Sequence, residues 1–75
     1  MVKTCEWLNI EKARFYRITI EHGARDIVLN HRWGGCNSNR GGNKSIYAQT
    51  QEEAQGFINK MMKRRKSRGY ELIAF

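Results

Sequence analysis

The chain has 75 residues, 40% hydrophobic and 28% charged, which indicates one small folded domain and excludes a disordered tail. No apolar run approaches the roughly 20 residues that cross a bilayer, and the N-terminal segment lacks a signal-peptide core, so we expect a cytoplasmic or otherwise intracellular protein. The net charge of +7 favours a polyanionic partner such as nucleic acid, an acidic protein or anionic lipid, with simple solubility as the alternative.

The cysteine and histidine spacing indicates neither a disulfide framework nor a metal centre. Cys5 and Cys36 lie far apart without a CxxC motif, and His22 and His31 are scattered. We therefore expect two reduced thiols and no zinc site. Neither GxxxxGK(S/T) nor GxGxxG occurs, so we expect no cofactor either.

Alternating apolar and polar residues predict strands in the first half of the chain. Cys5–Ile10 is predicted to be a strand, and Ala13–Glu21 a second one. In the second strand one face is predicted to be buried, and it carries Tyr16, Ile18 and Ile20.

A turn over His22–Ala24 leads into a third predicted strand, Arg25–Trp33, so these two strands form a β-hairpin. The shared face of this third strand carries Ile27, Leu29, His31 and Trp33. A glycine-rich loop, Gly34–Lys44, follows, and Lys44–Gln49 is a weaker fourth strand.

The segment Thr50–Arg68 is predicted to be a helix that opens with a capping box, because a hydroxyl stands three residues before a carboxylate in "TQEE". Gly69 is suited to end the helix, and Tyr70–Phe75 is a short final strand or an apolar tail. The apolar residues that recur at helical spacing are Ala54, Phe57, Ile58, Met61 and Met62. Of these, we expect Phe57, Ile58 and Met61 to be buried against the sheet.

This order of elements predicts a single α+β domain over residues 1–75. Consecutive strands on short loops form an antiparallel sheet of four to five strands. One amphipathic helix packs on one face of the sheet, and the other face stays open to water.

Three features could carry function, and each has a purely structural alternative. Trp33, freed by Gly34 and Gly35, could stack on a base or sugar, or it could belong to the core. The loop Gly34–Lys44 could cradle an anion with help from Arg40 and Lys44, or be merely a flexible hairpin loop.

The third feature is the basic end of the helix, "KMMKRRKSRG", which could contact a polyanion or simply suit the helix dipole. Its solvated face is formed by Lys60, Lys63, Arg64 and Lys66. No acidic pair lies near a histidine and no nucleophile signature occurs, so we expect no enzymatic activity.

Together these pieces resemble the WGR domain, a module found beside the catalytic regions of DNA-dependent poly(ADP-ribose) polymerases and in small bacterial proteins. The resemblance covers about Arg14 to Tyr70. Its segments are "FYRITI" (Phe15–Ile20), "NHRWG" (Asn30–Gly34), "GGNKS" (Gly41–Ser45) and "TQEEAQGFINKMMKRRKSRGY" (Thr50–Tyr70).

The resemblance implies an antiparallel sheet with one helix and a nucleic-acid-binding function. It assigns Trp33 to stacking on the sugar of a terminal nucleotide and Lys44 to a backbone contact. The arginine of the Trp-Gly-Arg motif is replaced by Gly35, which weakens the case for recognising breaks more than the case for general binding. Arg32 or Arg40 is the candidate to supply the missing charge.

We therefore predict a monomeric, non-catalytic domain that binds nucleic acid, DNA rather than RNA, without a cofactor, metal or membrane. The predicted binding residues are Arg32, Trp33, Gly34, Arg40, Asn43 and Lys44, with the basic helix face as a secondary surface. Two alternatives remain: a module that docks an acidic protein through the same surface, and a small-anion binder that uses the Gly34–Gly42 loop.

Overall fold

The computed structural model describes residues 2–38 and 40–75, so residue 39 of the predicted loop lies outside the described residues. One sheet contains all five strands, in the order β4-β3-β2-β1-β5, with antiparallel pairs throughout. The elements in chain order are β1 (Val2–Asn9), β2 (Arg14–His22), β3 (Ile27–Gly35), β4 (Gly41–Ala48), α1 (Gln51–Ser67) and β5 (Glu71–Ala74). The predicted α+β class is confirmed.

The helix packs on one face of the sheet, and the core lies between them. The alternating residues predicted to share the buried face do so, because side chains on a strand point to opposite faces in turn. The buried apolar residues are Cys5, Trp7, Tyr16, Ile18, Ile20, Ile27, Leu29, Ala48, Ala54, Ile58 and Met61. Ile58 and Met61 are buried as predicted, but the prediction that Phe57 is buried was wrong, since Phe57 packs against this core and is only partly buried.

The glycine-rich loop is shorter than predicted, because the glycines on both sides of it belong to strands. Gly41 pairs with Gly34 and Gly42 pairs with Trp33, which leaves only residues 36–40 between β3 and β4. A Cβ atom at Gly41 would collide with the Trp33 carbonyl, and one at Gly34 would lie 2.8 Å from the Arg40 carbonyl oxygen. The glycines therefore permit two strands to approach closely, and the composition of this segment misled the loop prediction.

The helix ends are fixed as the sequence predicts. The Thr50 hydroxyl accepts a hydrogen bond from the Glu53 backbone N–H at 3.1 Å, which satisfies one donor of the first turn. Gly69 follows the helix with φ +84°, a left-handed conformation that favours glycine. No helix in the described part of the chain is long and apolar enough to span a membrane.

A buried asparagine connects the β1–β2 turn to the end of the helix. Asn9 donates from Nδ2 to the Arg68 carbonyl oxygen at 3.2 Å, and its Oδ1 accepts from the Lys12 backbone N–H at 3.0 Å. The same turn is joined to the β3–β4 loop, because the Ala13 carbonyl accepts from the Cys36 N–H at 2.7 Å. These bonds hold three separate segments around one end of the sheet.

The two cysteines are free, as predicted. Cys5 is buried in the core and Cys36 is exposed in the β3–β4 loop. Burial raises the pKa of the Cys5 thiol, although the positive charge of Lys3 opposes the effect. The Cys5 thiol is thus an inert part of the core.

Candidate nucleic-acid interface

A cleft of about 1000 Å³ opens on the helix side of the sheet, between the β1–β2 turn, the β3–β4 loop and the C-terminal half of α1. No Asp or Glu is found among its described lining residues. The cations that line it are Lys12, Arg14, Arg40, Lys44, Arg64, Arg65 and Arg68. These are half of the chain's 14 Lys and Arg, so the positive charge is concentrated in a concave site.

Trp33 lies inside this cleft and is only partly buried. Its indole is nearly parallel to the Tyr16 ring, with the centroids 5.8 Å apart and an interplanar angle of 9°. The core and stacking interpretations of this residue are therefore compatible, because the indole packs on Tyr16 and still lines the cleft.

Arg65 is a buried cation on the helix face that packs against the sheet. Its side chain is 7% exposed, and its guanidinium lies 4.4 Å from the centroid of the Tyr16 ring and 5.1 Å from that of Tyr70. Among the described residues the one ion pair joins Arg17 and Glu6, so Arg65 has no carboxylate partner there. Its Nε also lacks a hydrogen-bond partner within the part of the chain that the structure describes.

A buried guanidinium without a carboxylate is costly, since burial removes water from a full charge. Cation–π contacts with two tyrosines offset part of that cost. Burial raises the pKa of Tyr16 against the opposing charges of Arg65 and Arg64, so its ring stays neutral beside the cation. The Arg65 guanidinium is thus held in place by two aromatic rings and borders the cleft without a described carboxylate partner.

Tyr16 also holds a buried histidine. Its hydroxyl oxygen lies 2.8 Å from His31 Nδ1, while His31 Nε2 has no hydrogen-bond partner among residues 2–38 and 40–75. Burial, with a smaller effect from the charge of Lys44, lowers the pKa of His31 to about 4. His31 is therefore neutral near pH 7 and belongs to the support of the site rather than to its charge.

A family model of the WGR domain matches residues 2–74, nearly the whole chain. The chain belongs to the WGR domain family. Among curated proteins and solved structures, none matches it significantly. The match begins before the segment that carries the sequence resemblance and includes β1 and β5.

The cleft of this WGR domain contains four of the six residues predicted from the sequence. Trp33, Gly34, Arg40 and Lys44 line it. Arg32 and Asn43 do not line it. They are paired with each other, one position along the strands from the pair of Trp33 and Gly42, so their side chains point to the open face of the sheet. Of the two candidates for the missing motif arginine, only Arg40 is therefore at the cleft.

The secondary basic face divides in a similar way. All four of its residues are exposed, but only Arg64 lines the cleft. Lys66 lies beside a smaller apolar groove lined by Trp7, Met62 and Leu72. Lys60 and Lys63 line neither cavity, so this predicted surface is not one site.

Four cations of the WGR cleft are absent from the predicted binding residues: Lys12, Arg14, Arg65 and Arg68, of which the last two belong to the basic helix end considered in the sequence. One of them had a signal in the sequence. Arg65 stands four residues after Met61 and seven after Ile58, so it continues the apolar stripe of the helix. A cation on a buried stripe indicates either a paired charge or a binding site. Lys12 and Arg14 had no such signal, since the tight β1–β2 turn alone brings them to the cleft.

Proposed function

We propose that this WGR domain binds nucleic acid in the basic cleft, DNA in preference to RNA, without catalysing a reaction. The observation that carries the proposal is the meeting of seven cations, with no described acidic residue, around a partly buried tryptophan. Phosphate contacts supply most of the affinity, and the Trp33 ring adds stacking on a base or sugar.

Within the cleft Arg65 is the strongest candidate for a direct phosphate contact. Its guanidinium is already desolvated and oriented by Tyr16 and Tyr70, so binding an anion costs little further ordering of the side chain. The other six cations that line the cleft have exposed side chains, and their charges attract a polyanion together. We expect them to strengthen binding in proportion to the number of phosphates they neutralise.

The small-anion alternative receives little support from the β3–β4 loop. A backbone anion site needs free N–H groups that converge on one point. Here the Gly35 N–H donates to the Arg40 carbonyl, the Cys36 N–H to the Ala13 carbonyl and the Arg40 N–H to the Ser38 hydroxyl. These donors are engaged in holding the loop together.

The test compares one cation inside the cleft with one outside it. Binding of a labelled duplex is measured as a function of salt for wild type, Lys44→Ala and Arg32→Ala, which remove one charge each from opposite faces of the sheet. We expect Lys44→Ala to weaken binding and to flatten the log-affinity against log-salt slope by about 1. Arg32→Ala should leave that slope as it is in the wild type.

Equal effects of the two variants would indicate attraction by net charge alone and would contradict a cleft site. An acidic peptide of matched charge, titrated in parallel, tests the remaining alternative. If the peptide binds as tightly as DNA and Trp33→Ala weakens neither, the domain is a protein-interaction module. Binding of RNA of the same sequence under the same conditions tests the preference for DNA.

A further inference from the structure

Gly42 lies directly opposite Trp33 across the β3–β4 pair. A Cβ atom built on Gly42 would lie 2.6 Å from Cζ2 and 2.9 Å from Cε2 of the indole, which is closer than Cβ atoms approach other atoms in proteins. Any other residue at position 42 would therefore displace the ring.

The backbone conformation does not explain this glycine. Gly69 is the described glycine with a positive φ, so Gly42 adopts a conformation open to any residue. What the position requires is the absence of a side chain, and the atoms that require it belong to Trp33. Gly42 is thus required by the position of the Trp33 indole and not by the backbone conformation of β4.

The surroundings of the ring show what else the missing side chain permits. Tyr16 stacks on the indole from the β2 side, whereas β4 is the edge strand of the sheet and lies on the other side. On the same face of β4, the next side chain after Gly42 is Lys44, which lines the cleft. Arg40, just before β4, lines it as well. On the side away from Tyr16, the indole therefore faces Gly42. The cations Arg40 and Lys44 come two residues before and two residues after that glycine.

We propose that Gly42 is a positioning residue for the stacking site, and this inference rests on the proposed nucleic-acid binding. Its lack of a side chain lets the Trp33 ring lie against β4 and leaves the outer side of the ring free for a base or sugar. The phosphates that flank a base or sugar held there come within reach of Arg40 and Lys44. Gly42 thereby determines whether stacking and phosphate contacts can be made together.

The test is the Gly42→Ala variant, with Gly56→Ala as its matched control. A Cβ atom at Gly56 would have no described atom within 4 Å, so this second variant adds the same methyl group at an exposed position of the helix where it disturbs no described contact. We expect Gly42→Ala to weaken duplex binding by about tenfold, since stacking is lost, while the salt slope is unchanged. Gly56→Ala should bind as the wild type does.

A double-mutant cycle separates positioning of the ring from a general effect on the sheet. In a Trp33→Ala background, Gly42→Ala should weaken binding no further, because the ring that it displaces is gone. Trp33→Phe should restore part of the affinity lost in Gly42→Ala, because the smaller ring leaves room for the methyl group. The inference is overturned if Gly42→Ala binds like the wild type, or if it weakens binding equally in the presence and absence of Trp33.

A measurement without ligand separates the effect of Gly42→Ala on the folded protein from its effect on binding. The indole N–H resonance of Trp33 should shift in Gly42→Ala and not in Gly56→Ala, whether or not a ligand is present. If the wild type binds no oligonucleotide, the proposed function fails while this resonance still reports the contact. If Gly42→Ala unfolds even with Trp33→Ala, the glycine serves the strand pair and the inference is wrong.

Discussion

Arg65 places a full positive charge in a buried position without a described carboxylate partner. Two tyrosine rings contact the guanidinium and no described carboxylate pairs with it, so removing the charge relieves a desolvation cost. We predict that Arg65→Met leaves the free energy of unfolding unchanged or raises it, since the methionine fills similar space. The same variant should weaken duplex binding and flatten the salt slope by about 1.

Urea denaturation and a salt titration of binding measure the two effects, and Arg65→Lys is the control that keeps the charge. A large loss of stability in Arg65→Met with unaltered binding would mean that the guanidinium holds the fold together. In that case its contacts with Tyr16 and Tyr70 would be structural and the phosphate role would be wrong.

His31 should make the fold sensitive to acid. Its pKa is about 4 in the folded chain and about 6.5 in an unfolded one, so the unfolded state binds the additional proton between these values. Stability should therefore fall as the pH is lowered from about 6.5 to about 4, and recover as it is raised. His31→Gln removes the titrating group, so its stability should change less over this interval than that of the wild type. Thermal midpoints across the pH range measure the difference, and parallel curves would contradict the prediction.

Residue identity alone could not settle the role of Trp33. The alternation of apolar and polar residues along β3 predicted that Trp33 lies on the same face as Ile27 and Leu29, and this prediction is confirmed. It could not show that the cleft begins at this end of β3, because that depends on where the helix ends. The same alternation places Arg32, the residue before Trp33, on the open face of the sheet, so the sequence itself argued against Arg32 as a residue of the same site.

At the scale of the elements, the helix is the part of the fold that its sequence specifies most completely. Its cap at Thr50 and its end at Gly69 are both set by local chemistry. The sheet was harder to delimit, since the run of glycines that suggested a long loop in fact extends β4 to Gly41. Glycine composition indicates either a loop or a close approach of two strands, and only the partner strand distinguishes them.

The burial pattern of the helix predicts that truncating Ile58 destabilises the fold more than truncating the larger Phe57 does. Ile58 is 4% exposed, whereas Phe57 is only partly buried. We predict that Ile58→Ala lowers the free energy of unfolding by about 2–5 kcal/mol, much of what so small a domain has. Phe57→Ala should cost less, because part of its ring is in water when the chain is folded. Urea denaturation of both variants measures the order, and a larger loss for Phe57 would place that residue in the core.

Across the whole molecule, charge is distributed unequally between the two faces of the sheet. The cleft gathers seven cations on the helix side, while on the open face Arg17 is paired with Glu6 at 3.0 Å. Net charge and composition predicted a polyanionic partner but not the face it would bind. The face on which the cations gather follows from topology, which brings the β1–β2 turn, the β3–β4 loop and the end of the helix together.

A binding footprint tests this sidedness directly. In an NMR titration with duplex DNA, we expect the largest shifts at the Trp33 indole N–H and along the lining of the cleft, and small ones at Arg17, Arg32 and Tyr47 on the open face. Shifts centred on the open face, or on Lys60 and Lys63, would contradict the cleft as the binding site.

The same titration with nicked duplex tests what the glycine at position 35, where the family motif has arginine, means for recognition of strand ends. Since a glycine there supplies no side-chain contact to a strand end, nicked and intact duplex should produce footprints of similar size.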